Sequence, residues 1–145
     1  MFISKPWALL LLAGHLVTLG TSVFFFYKSF KVPITWSSQG TALPAQYLTH
    51  ILFLTNFIGI VFARTLHVQF YSWYFHSLPY LLWSVPISNG TRILLFYGIE
   101  LSFNVFPSTW LSSLILQSCH VFLMGAHMHH LFSIYKKRNK AEKTE

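Results

Sequence analysis

The chain has no aspartate, and its only acids are Glu100, Glu142 and Glu145. Charged residues make up 9% of its 145 residues, against roughly 25% in an ordinary soluble protein. A single cysteine, Cys119, excludes an intrachain disulfide. There is no internal repeat and no low-complexity tract. What is abundant is apolar: 54% of the chain is hydrophobic, with 15 phenylalanines, five tryptophans and seven tyrosines. A soluble domain this small could not cover so much greasy surface. The composition is that of an all-α integral membrane protein of one domain.

The formal charge of +7 does not imply a nucleic-acid partner, because half of the cations lie in the tail: Lys136, Lys137, Arg138, Lys140 and Lys143. A basic tail after a membrane helix marks the cytosolic side and touches anionic membrane lipid. Hydropathy places spans near 7–27, 46–63, 71–86, 91–107 and 110–135, a helical transmembrane domain over 1–135 with the cytosolic tail at 136–145. The first span is long enough to cross a core of ~30 Å. Its apolar run continues past any plausible signal-peptide cleavage point, so it is read as uncleaved. In the second, Asn56, Gly59 and Ala63 form a stripe suited to close helix contact. The third is short and contains Pro79, so it is either kinked or re-entrant. Five spans would put eight cations in the cytosol and two outside. Four spans give the same split, so the charge rule fixes the tail in the cytosol but leaves the span count open.

Three groups of residues could carry chemistry. The stretch RTLHVQFYSWYFHSLPYLLW, at 64–83, brings Arg64, His67, Gln69 and His76 among seven aromatic rings. Helical spacing aligns Arg64, His67, Tyr71 and Tyr74, whereas strand spacing groups His67, Gln69, Tyr71 and Trp73. An aromatic belt at the membrane interface accounts for the rings. A lipid-phosphate or lipid-sugar site accounts for the donors as well, since arginine forms paired charge-assisted bonds to phosphate. In YGIELSFN, Tyr97, Glu100 and Asn104 share one helix face. An ionisable group at membrane depth is costly, so Glu100 should face the bundle or a wet cavity. In the last span His120, His127 and His130 share a face that could ligate a metal or haem. Without a carboxylate at useful spacing, the plainer reading of His127, His129 and His130 is as polar groups near the membrane surface. Asn89-Gly90-Thr91 is a formal glycosylation sequon between apolar segments, and we assign it no use.

The runs NFIGIVFARTLHVQFYSWYFHSLPYLLW, from Asn56, and IELSFNVFPST, from Ile99, closely resemble the C-terminal region of a known family. It comprises the dolichyl-phosphate-mannose-dependent α-1,3-mannosyltransferases of the asparagine-linked glycosylation pathway. The resemblance rests on Arg64, Leu66, His67, Gln69, Phe70, Tyr71, Trp73, Tyr74, His76, Leu78, Pro79 and Trp83. It implies a GT-C-type, inverting, metal-independent glycosyltransferase of the endoplasmic reticulum membrane, with no cofactor and a luminal active site. Its partners would be the dolichyl-phosphate-mannose donor and the dolichol-linked oligosaccharide acceptor, Man5GlcNAc2. A luminal site favours the five-span count. Arg64 and His67 would then sit by the donor phosphate, with Gln69, Tyr71, Trp73 and His76 supporting sugar or isoprenoid and Glu100 and Asn104 as intramembrane polar groups.

Inversion needs a base for the incoming hydroxyl. The family is expected to take it from an acidic residue in an N-terminal luminal loop, which this sequence does not match. The chain is therefore expected to correspond to the C-terminal third of the enzyme. A non-catalytic membrane assembly unit is the rival reading.

Overall fold

A computed structural model of the chain describes residues 5–30, 45–63, 66, 68–141 and 143. Six α-helices account for nearly all of them: α1 (Lys5–Phe30), α2 (Ala45–Val61), α3 (Val68–Tyr74), α4 (Leu78–Trp83), α5 (Asn89–Asn104) and α6 (Trp110–Ala141). A 3-10 turn, Phe75–Ser77, joins α3 to α4, and no strand occurs among the described residues. The break has a local cause. Pro79 has no N–H to give the Phe75 carbonyl, and its ring crowds that oxygen. The Leu78 N–H bonds the Phe75 carbonyl instead, which tightens the turn to 3-10 geometry. Residues 68–83 thus form one broken helical segment, α3 and α4 joined by the turn.

Aromatic contacts give each pass its direction. Gly14 and His15 of α1 meet Phe62 just beyond α2, while Phe26 meets Tyr47 and His50, so α1 and α2 are antiparallel. The α3–α4 pass runs back along α2. The Asn56 amide donates to the Trp73 carbonyl at 3.2 Å, Phe53 meets His76, and the Tyr80 hydroxyl donates to the Gln46 carbonyl at 3.4 Å. It enters at one end of α2 and leaves at the other. Helix α5 reverses again, with Phe103 on Tyr71 and Phe96 on Phe75. Helix α6 is antiparallel to α2 and parallel to α1, pairing His120 with Phe57, His127 with His50, and Phe132 with Phe25.

Side chains fix both corners around α5. Ser88 caps α5 by accepting the Thr91 N–H at 3.2 Å. Arg92 lies over the Trp83 ring and donates to the carbonyls of Leu82 (3.1 Å) and Val85 (3.0 Å), satisfying the end of α4. Helix α5, where a span was expected over 91–107, ends at Asn104. Val105 is already extended, and a residue before proline, here Phe106, disfavours helix. Thr109 and Ser112 then bond each other's N–H groups through their hydroxyls and start α6.

The core lies among α2, α3–α4, α5 and α6, where Phe57, Ile58, Tyr74, Leu78, Leu81, Leu82, Ile99 and Leu123 are fully buried. Helix α1 packs on the outside, with Leu9, Leu10, Leu16 and Val17 exposed. Lys5–Ser29 and Trp110–Ala141 are long and apolar enough to cross a membrane. A helix that is greasy all round suits a lipid environment rather than water.

Candidate functional site

The bundle has two unlike ends. One gathers the start of α1, the end of α2, the start of α3 and the α5–α6 corner. The other gathers Lys28, Arg92 and the basic end of α6. Of the residues singled out in the sequence, Arg64 and His67 lie outside the described residues. The others belong to α3, the 3-10 turn and α5. Helical geometry from Val68 onward parts Tyr71 from Gln69 and Trp73, which strand spacing would have grouped with it.

Tyr71 points toward α5, its ring stacked on Phe103 at 5.0 Å and tilted against Phe75 at 4.8 Å. It is close enough to Glu100 for the two to interact electrostatically. Gln69 and Trp73, four residues apart, lie on an exposed face, with Trp73 edge-on to Phe70 at 4.8 Å. His76 is exposed, with its ring edge to face with Phe53. The structure therefore brings Tyr71 and Glu100 together and leaves Gln69, Trp73 and His76 on other faces.

Glu100 is half-buried and one turn from the end of α5. The Asn104 amide donates to the Glu100 backbone carbonyl at 2.8 Å, so it binds its own helix rather than a neighbour. Tyr97 is 60% exposed. Among the described residues the face formed by Tyr97, Glu100 and Asn104 looks outward more than into the bundle, apart from the contact of Glu100 with Tyr71.

The three α6 histidines that spacing placed on one face, His120, His127 and His130, part company. His120 is buried against Phe57, and its Nε2 is 2.8 Å from the buried Tyr74 hydroxyl. His127 is buried beside His50, with ring centroids 5.6 Å apart, and His130 is half-buried. Burial of His127 departs from its expected place near a surface. The helix runs on to Ala141, and α2 and α4 cover this stretch of it. No three His, Cys, Asp or Glu side chains among the described residues are arranged to hold a metal ion. The Tyr74–His120 pair was not foreseen. The available signal was a phenol and an imidazole on apolar helix faces, which must find partners across helices.

The ALG3 protein family matches residues 1–113 of the chain. A relative from Arabidopsis thaliana, named Dol-P-Man:Man(5)GlcNAc(2)-PP-Dol alpha-1,3-mannosyltransferase, is 39% identical over 143 residues, covering 86% of this chain and 33% of the relative. Proteins of the same name from Mus musculus and Homo sapiens are 40% and 37% identical, each covering 86% of this chain and 31% of the relative. The chain spans about a third of the length of these curated relatives. No solved structure matches it.

Proposed function

Because this chain belongs to the ALG3 protein family, we infer that it serves the transfer of mannose from dolichyl-phosphate-mannose to Man5GlcNAc2-PP-dolichol. The new α-1,3 linkage forms at the luminal face of the endoplasmic reticulum membrane. The five passes cross that membrane as part of a GT-C-type bundle, and the tail is cytosolic. The chain contributes donor-binding groups. Arg64 and His67 serve the donor phosphate, and Gln69, Tyr71, Trp73 and His76 support its sugar or isoprenoid, Gln69 and Trp73 from one exposed face of α3 and Tyr71 from another.

In the reaction, the 3-hydroxyl of the acceptor mannose attacks the anomeric carbon of the donor. The bond from that carbon to the phosphate oxygen breaks, dolichyl phosphate leaves, and a base takes the hydroxyl proton. Guanidinium and imidazolium groups at the phosphate would stabilise the charge that gathers on the leaving group. Within these residues Glu100 is the only acid outside the tail. Its place beside Tyr71 suits a supporting role more than that of the base.

The observation that carries this reading is the directional separation of charge and aromatic donors. The α2–α3 corner and the α5–α6 corner share one end of the bundle. Lys28, Arg92 and the α6 tail occupy the opposite end. With five crossings the cytosolic side receives eight of the ten cations, the asymmetry that the positive-inside rule requires.

Arg64→Cys in otherwise intact chain, labelled in sealed microsomes with a membrane-impermeant maleimide, tests the placement. Protection until the membrane is opened is expected, whereas labelling from the cytosolic side sinks the reading. Substituting the residues aligned with Arg64 and His67 in a full-length relative should weaken donor binding at least tenfold, from the ~1.5–3 kcal/mol of a charged hydrogen bond. The scarcity of acids favours a second reading, a non-catalytic assembly unit. In cells lacking the α-1,3-mannosyltransferase, restored elongation of the Man5 precursor by this chain rejects it.

A further inference from the structure

At the basic end of the bundle, away from the aromatic donor groups, lies a cavity of about 240 Å³. Gln46, Tyr47 and His50 of α2, Tyr80 and Ser84 at α4, and His130 of α6 supply its polar wall, and Phe26, Leu131 and Ile134 its apolar one. Behind His50 is His127, 1% exposed, whose ring nitrogens make no well-formed hydrogen bond, the Leu81 backbone being the one backbone group close enough to interact with it. A buried polar group left unbonded costs ~1–3 kcal/mol, so three imidazoles gathered here need a reason. They do not form a metal site.

The electrostatics favour an anion. Glu100 is the one acid among the described residues, and it stands near Tyr71 at the other end of the bundle. No described carboxylate therefore competes for the imidazole N–H groups. The first turn of α2, whose leading amides have no intrahelical acceptor, forms part of the wall and adds positive potential. Lys137 is close enough to His130 for their charges to interact. A neutral imidazole offers one N–H whichever tautomer it adopts, and a charged one offers two. The volume lies below the ~300–1,000 Å³ of sites that enclose whole drug-sized molecules, which restricts the occupant to a small group.

We propose that this cavity binds a phosphate group, with His50 and His130 donating to its oxygens and His127 backing His50. The phosphate comes either from an anionic phospholipid headgroup or from free inorganic phosphate. The site is independent of the mannosyl-transfer reading and stands at the opposite end of the bundle from the proposed donor groups.

The test uses the whole chain with 15N-labelled histidine, purified in detergent and in phosphatidylcholine nanodiscs. Inorganic phosphate is titrated against chloride in detergent, and phosphatidate is added to the nanodiscs. The His50 and His130 ring signals are expected to move saturably while His15, in the middle of α1 and stacked on Phe62 beyond the far end of α2, stays still. Movement with inorganic phosphate assigns the free ion, and movement with phosphatidate alone assigns the headgroup. Either result supports the site. His50→Gln and His130→Gln should each weaken binding about tenfold. Ring signals of the native chain that ignore both probes, or that respond no differently from His15, overturn the proposal without need of a folded variant. So does unchanged affinity in both folded variants.

Discussion

His120 and His127 stand two turns apart on one face of α6, and both are buried, at 0% and 1% exposure. Around His120 the walls come from α2 and α3, and the Tyr74 hydroxyl meets Nε2 at 2.8 Å. Around His127 they come from α2 and α4, and the nearest ring is another imidazole, that of His50. The first neighbourhood pairs a donor with an acceptor. The second sets like groups side by side and gives His127 no well-formed hydrogen bond, only the Leu81 backbone nearby. Equal burial thus conceals different energetics: one histidine ties α3 to α6 through a side-chain hydrogen bond, while the other is held by packing with only a weak backbone contact to Leu81.

The largest expected effect is at the bonded site. His120→Ala removes a buried ring and its hydrogen bond, and it should lower stability in detergent by about 3 kcal/mol, as large-to-small core changes do. Tyr74→Phe keeps the ring and deletes only the hydroxyl. Interhelical hydrogen bonds in membrane proteins average ~0.6 and reach ~1.7 kcal/mol in double-mutant cycles, so about 1 kcal/mol is expected. In a cycle of Tyr74→Phe with His120→Leu, the two losses should fall short of adding, because each variant alone leaves the other partner unbonded. Strict additivity in denaturant unfolding would mean that the 2.8 Å contact contributes nothing.

Much of this frame was legible in the chain. The apolar runs at 7–27 and 110–135 are the cores of α1 and α6, and Pro79 marks the break between α3 and α4. These features follow from local physics, namely hydropathy and a missing N–H. Pairings between passes were not legible. Period counting put His120, His127 and His130 on one face, but it cannot say what that face meets, and α2 meets His120 with Phe57 and His127 with His50. It likewise grouped Tyr97, Glu100 and Asn104 without showing that Asn104 would bond its own helix. Rotation and relative height of two helices decide such contacts, and neither is written in the sequence of one helix. Arg64 and His67, central to the sequence reading, lie outside the described residues.

The contrast sharpens if the unbonded histidine is removed. His127→Leu replaces an unsatisfied buried ring with an apolar group of similar bulk. Without phosphate it should leave stability unchanged or raise it by about 1 kcal/mol. His120→Leu, the same chemical change two turns earlier, should lower it, because the Tyr74 hydroxyl loses its partner. A loss at one site and none at the other, for the same substitution, is the clearest sign that bonding, not burial, separates them. A destabilised His127→Leu would show instead that His127 has a bonding partner in solution.

The smallest effect belongs to α1, which reaches the neighbourhood of His127 through Ser22. The Ser22 hydroxyl donates to the Thr18 carbonyl at 2.6 Å within its own helix and stands 3.4 Å from the Met128 sulfur. Methionine sulfur is a weak acceptor, and the Thr18 carbonyl keeps its place in the helix when the hydroxyl goes. Ser22→Ala should therefore change stability by no more than ~0.5 kcal/mol, in the range of substitutions that disturb no essential contact. The ring signals of His127 should stay in place as well. If Ser22→Ala costs as much as Tyr74→Phe, or moves the His127 resonances, then α1 rather than α2 and α4 holds that imidazole, and the wall behind the proposed phosphate cavity is built differently from the one described.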